Sequence, residues 1–77
     1  MSLAGIERRI VQLAEEHLGL EEVDLDDDLV GDLGVSPRAL AEFLREVCQE
    51  YEISMEPGEY SGLDTLRGIA PMVGSRV

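Results

Sequence analysis

The chain has 77 residues, and its 17 acids against 6 bases leave a formal charge of −11. That balance excludes a nucleic-acid role, which needs a basic surface, and adhesion to anionic membranes. The length suits one small domain over residues 1–77, the 44% apolar share is too high for a disordered chain, and the lone cysteine, Cys48, excludes an internal disulfide or a cysteine zinc cluster.

Residues 3 to 18 read as an amphipathic helix, with Leu3, Ile6, Ile10, Leu13 and Leu18 at helical spacing and Ala14 beside them. Glu7, Arg8, Arg9, Gln12, Glu15 and Glu16 take the opposite side. Ser2 is placed to cap its start, and Gly19 stops it. Residues 19 to 35 form a long connection whose apolar residues, Leu20, Val23, Leu25, Leu29, Val30, Leu33 and Val35, follow no sustained period. So long a loop in so small a domain needs anchoring, and these side chains can supply it by packing onto the helices.

Residues 37 to 51 give the clearest helix, with a stripe of Leu40, Leu44, Val47 and Tyr51 widened by Ala41, Phe43 and Cys48. Arg38 and Glu42 stand as an i,i+4 pair on its polar side. In "EISMEPGEYSG", Pro57, Gly58 and Gly62 permit at most one helical turn. A last short helix starts at Asp64 or Thr65 and turns Leu66, Ile69 and Val73 inward. Pro71 cannot donate a backbone bond and predicts a kink or an end there. No strand pattern and no repeat is visible, so the chain is all-α.

Three signals bear on chemistry. Asp24, Asp26 and Asp28 alternate as in a calcium loop, but Leu29 and Val35 occupy the positions that need glycine and glutamate, so a solvated acidic loop is the better account. His17, the only histidine, falls in the last turn of the first helix, where its charge suits the helix dipole. Neither it nor Cys48 has a partner at recognisable catalytic spacing, so no catalytic residue and no enzyme activity is expected. Ser36-Pro37 is a good helix start, a favoured N-cap followed by proline at the first helical position. Ser36 also stands where backbone N–H groups and the positive dipole end converge, a setting that suits an attached phosphate.

These residues resemble the acyl carrier proteins and related carrier domains of fatty-acid, polyketide and peptide-type synthesis. "LVGDLGV" looks like the family's Asp-Leu-Gly approach, with Leu29 in the apolar position. "ALAEFLREVCQEYEISM" carries its spacing without a gap, with Tyr51 where a phenylalanine is common and Ile53 and Met55 as the apolar pair that follows. "GLDTLRGIAPMV" is similar to the capped start of its last helix. The resemblance spans roughly residues 29 to 72. It implies a small acidic four-helix bundle with a long loop between helices 1 and 2. It also implies a non-catalytic role, a 4′-phosphopantetheine arm on a serine at the start of the second helix, and a core between Phe43, Leu44, Val47 and Ile69 that opens to hold a chain.

The departure lies at the centre. In register, Ser36 replaces the family's capping aspartate, Pro37 its modified serine and Arg38 the following leucine. Proline has no hydroxyl, so Ser36 is the only attachment candidate near that position. Moving one residue rotates a side chain by roughly 100° about a helix of 3.6 residues per turn, and positioned chemistry tolerates little displacement. Two readings stay open: a carrier with Ser36 as an unusual attachment point, served by a phosphopantetheinyl transferase, and an arm-less carrier-fold protein acting as a binding or regulatory module. In both, partners with basic docking surfaces meet the second helix at Arg38, Glu42, Arg45, Gln49 and Glu50, a face of mixed charge. No apolar run reaches membrane-spanning length and no secretion signal opens the chain, so a cytoplasmic monomer is expected.

Overall fold

The first helix, α1 (Leu3–Leu18), begins where Ser2 turns its hydroxyl to accept from the Gly5 N–H at 3.2 Å. It ends at Gly19, whose φ of 66° is the left-handed conformation glycine adopts without a Cβ clash. The computed structural model describes residues 2–60 and 62–77; Met1 and Ser61 lie outside it. After the connection come α2 (Pro37–Tyr51), a single 3-10 turn at Pro57–Tyr60, and α3 (Leu66–Arg76).

The helical spacing becomes a shared core. Ile6, Ile10, Leu13 and Ala14 of α1 meet Leu40, Phe43, Leu44 and Val47 of α2 and Leu66, Ile69, Ala70 and Val73 of α3, all buried. α1 packs against both other helices. The first connection adds Val23, Leu29 and Val35 to this core, with Leu20, Leu25 and Leu33 half-buried against it. Of the loop's expected anchors only Val30 stays out, at 37% exposure.

Two expectations are corrected. The bundle has three α-helices among the described residues, not four. The segment between α2 and α3 forms only the one 3-10 turn, because Pro57 and Gly58 leave too little helix-forming chain there. α3 also continues past Pro71 to Arg76, so the helix does not end at the proline, where the sequence predicts a kink or an end. Pro71 leaves the Arg67 carbonyl, four residues back, without its helical partner, and Arg67 is exposed, so water can serve that oxygen. Ala70 and Val73, both at 0% exposure, hold the helix against the core on either side of the proline.

The aspartates of the first connection act on its own backbone. Asp28 Oδ1 accepts from the Val30 and Gly31 N–H groups at 3.1 and 2.8 Å, and Asp27 Oδ2 from the Asp24 N–H at 3.1 Å. Two backbone bonds then tie the connection to the start of α3. The Leu29 N–H donates to the Asp64 carbonyl at 2.8 Å, and the Arg67 N–H donates to the Leu25 carbonyl at 2.9 Å. Thr65, the second of the two predicted caps, performs the capping of α3 through the Gly68 N–H at 3.1 Å, which leaves Asp64 to hold the loop.

Candidate functional site

The site is built around the first turn of α2. Gly34, at φ 70°, turns the chain out of the loop, and Val35 goes into the core while its N–H donates to the Leu29 carbonyl at 2.9 Å. Val35 before the cap and Leu40 four positions into the helix are both buried, which are the positions of a hydrophobic staple. Ser36 is thus pinned between a buried residue and a helix. Its backbone is extended (φ −69°, ψ 153°), and its Oγ accepts from the Ala39 N–H at 3.1 Å. Pro37 follows at the first helical position, where an N–H has no intrahelical acceptor anyway. Ser36, Pro37 and Arg38 are all exposed.

Five residues were expected to make the docking face, and all five are exposed: Arg38, Glu42, Arg45, Gln49 and Glu50. The structure divides them. Arg38 and Glu42 form the expected i,i+4 pair, loose at 3.6 Å. Arg45 and Gln49 continue that row at helical spacing. Glu50 instead turns toward α1. Both its carboxylate oxygens are held by Arg9, through Nε and one terminal nitrogen, each at 3.1 Å. The Arg9 guanidinium holds the Glu50 carboxyl below its usual value. Nothing at single-sequence level links residues 9 and 50, which only the antiparallel packing of α1 and α2 brings together.

Two shallow grooves flank the first half of α2 and join along Leu18 and Ala39. One, of about 150 Å³, is lined by His17, Leu18, Ala39, Glu42, Phe43 and Glu46. The other, of about 360 Å³ and more open, runs past Leu20, Leu33, Gly34 and Val35 to Ser36. His17 lines both and Cys48 neither. Cys48 is buried at 8% exposure, and burial pushes its thiol up, away from the reactive thiolate. Sequence reasoning singled out His17 in the last turn of α1 but not Glu46, which lines the smaller groove beside it.

The family model described as "Phosphopantetheine attachment site" matches residues 8–73. No curated protein and no solved structure matches. The chain belongs to the phosphopantetheine attachment site family. Membership points to a carrier role in acyl or peptide synthesis, and such carrier domains are generally non-catalytic and meet partner enzymes and a phosphopantetheinyl transferase. No helix among the described residues is long and apolar enough to cross a membrane.

The group that the family implies can be tested against the residues present. A phosphodiester needs one accessible hydroxyl, and Ser36 is exposed. Its Oγ uses one lone pair on Ala39 and makes no other hydrogen bond among the described residues. An anion on that oxygen would face the first N–H groups of a fifteen-residue helix. The hydroxyl therefore fits the group chemically, one residue before the position where the resemblance places it.

Proposed function

We propose that this chain is a non-catalytic carrier domain that docks to partner enzymes of acyl or peptide-type synthesis, with Ser36 as the residue that holds a phosphopantetheine arm. The observation that supports this most directly is the exposed Ser36 hydroxyl at the N-cap of α2. The arm, when bound, supplies a thiol for thioester chemistry. The chain's own residues do the rest. Val35 and Leu40 fix the lip of the helix, the Ala39 N–H orients the Ser36 oxygen, and the helix start favours the phosphate charge. Arg38, Glu42, Arg45 and Gln49 present the docking row to a partner, and the net acidity favours one with a basic surface.

A second reading, an arm-less carrier-fold binding or regulatory module, is favoured by Pro37 and by the use of the Ser36 hydroxyl as a cap. One experiment separates them. The purified protein is incubated with coenzyme A and a broad-specificity phosphopantetheinyl transferase and weighed intact. A mass gain that vanishes in Ser36→Ala supports the tethered carrier. No gain in the wild type, with a gain in Pro37→Ser, supports the arm-less module.

A further inference from the structure

Positions 36 and 37 stand on different rows of α2. At about 3.6 residues per turn, the row of position 36 continues through Ala39, Phe43, Glu46 and Glu50, and that of position 37 through Ala41, Leu44 and Cys48. The first row faces α1: Arg9 holds Glu50, and Ala39, Phe43 and Glu46 line a groove with His17 and Leu18. The second row leads elsewhere. Cys48, at its end, lies close enough to Arg76 of α3 and to Glu59 to feel both charges. Ser36 itself lines the larger groove, of about 360 Å³, which passes Leu20 and Leu33 and joins the smaller one at His17, Leu18 and Ala39. Among the described residues, none of α3 lines either groove. The place where the resemblance puts a held chain, between Phe43, Leu44, Val47 and Ile69, is closed, with each of these residues at 1% exposure or less.

We propose that the α1 side of α2 is the resting site of the phosphopantetheine arm on Ser36, along Leu33 and Ala39 to His17 and Glu46. This rests on the tethered-carrier reading above and adds where the arm lies. The step from position 37 to position 36 turns the attachment by roughly 100° about the helix, from the row that leads toward Cys48 and the end of α3 to the row that faces α1. The length agrees. Ser36 to Glu46 is about 15 Å along the axis, at about 1.5 Å per residue. An arm of about thirteen bonds from phosphorus to sulfur spans roughly 15 Å when extended, at the ~1.2 Å per bond of an extended polypeptide. The order of the chemistry agrees as well. Next to Ser36 the groove offers Leu20, Leu33 and Ala39, which suit the arm's dimethyl carbon. Farther along, the His17 ring and the Glu42 and Glu46 carboxylates suit its two amide groups, the carboxylates accepting from their N–H. Because both grooves lie at the surface, the arm can leave for a partner without parting the helices.

The test charges isotope-labelled protein with an unlabelled arm from coenzyme A, weighs it intact and then reads it by NMR. Isotope-filtered NOE spectra report only contacts between arm and protein. They should join the arm's dimethyl protons to the Leu33 and Ala39 methyls, and the protons nearest its thiol to His17 or Leu18. Amide shifts on charging should reach Leu18 and Leu20, which are far from Ser36 in sequence. A second protein, Ser36→Asp with Pro37→Ser, keeps a capping side chain and moves the hydroxyl to position 37. Charged in the same way, it should lose the contacts to Leu33 and Leu18 and shift Ala41 and Cys48 instead. If that protein takes no arm, the wild-type contacts decide alone. Wild-type contacts to Leu44 or Ile69, or shifts confined to residues 35–39 with no contact between arm and protein, overturn the resting site and leave the tethered carrier standing. Identical contacts in both proteins overturn it too, since the row would then not matter. The absence of a mass gain in the wild type removes the carrier reading and the resting site with it.

Discussion

The two connections of this chain are both tied to α3, one at each end of that helix, by different physics. The first, residues 19–36, meets the start of α3 with two backbone hydrogen bonds, the Asp26–Arg67 ion pair and three buried side chains. The second, between α2 and α3, meets the end of α3 mainly through one side chain. Arg76 donates to the Ser54 carbonyl at 2.9 Å and pairs with Glu59, whose other oxygen accepts from the Glu56 N–H at 2.7 Å. The longer loop is therefore the more firmly built, and it carries the approach to Ser36. A site whose geometry must be reproducible stands on the connection that apolar burial fixes, while the more weakly tied one lies elsewhere.

The sharpest way to break this comparison is to remove an anchor from each side. Leu29 is fully buried, and Leu29→Ala should cost about 2–5 kcal/mol in urea unfolding. Ile53, only half-buried in the second connection, should cost clearly less as Ile53→Ala. Equal losses would mean the first loop is no better anchored than the second. A smaller effect is expected at Gly31, where an added Cβ would come within 2.7 Å of Asp28 Oδ2. The carboxylate that holds the Val30 and Gly31 N–H groups must then move, so Gly31→Ala should destabilise by about 1–2 kcal/mol. The loss should be much reduced in an Asp28→Ala background, where those bonds are already gone.

The second connection offers a change of opposite sign. α2 ends at Glu52 in the left-handed conformation, φ 54° and ψ 44°, where its N–H closes the last turn on the Cys48 and Gln49 carbonyls. A side chain is strained there, and glycine is not. Glu52→Gly should raise stability by about 0.5–1 kcal/mol after the extra freedom of glycine in the unfolded chain is counted. A loss on thermal unfolding would show that the Glu52 side chain makes a contact that offsets the strain.

The helices and their inward faces were legible because each needs only local spacing. Ile6, Ile10, Leu13, Leu44, Val47, Leu66, Ile69 and Val73 all lie in the core where periodicity puts them. The capping roles of Ser2, Ser36 and Thr65 were legible for the same reason. Pro71 was misleading because a local rule for ending helices was outweighed by burial of Ala70 and Val73, which the rule does not see. The Glu50–Arg9, Asp26–Arg67 and Glu59–Arg76 pairs were not legible, since each joins residues far apart in sequence. For the same reason the groove with Glu46 emerges only when α1 lies beside α2. Ser36 was legible as the one hydroxyl near the attachment position, while whether it carries the arm is a matter for the mass experiment.

The smallest expected effect concerns pH and distinguishes the two ties most finely. Asp26 and Glu59 are both held below the usual carboxylate range, but the leading cause differs. For Asp26 it is the hydrogen bond from Arg67; for Glu59 it is the Glu56 N–H, with Arg76 second. A carboxylate lowered in the folded state contributes stability that is fully present above its unfolded value and is lost as pH falls through its folded value. Both ties should therefore weaken as the solution is taken below about pH 4, the ordinary range of these groups. Removing the arginines should not have equal consequences. Arg67→Gln takes away the main cause, so the Asp26 titration should move most of the way back to an ordinary aspartate. Arg76→Gln leaves the Glu56 N–H in place, so the Glu59 midpoint should stay below the ordinary glutamate value. Carboxyl-carbon NMR titration of both variants reads this directly. A Glu59 midpoint that returns fully to the ordinary value in Arg76→Gln would show that the Glu56 N–H does not hold the Glu59 carboxylate without Arg76.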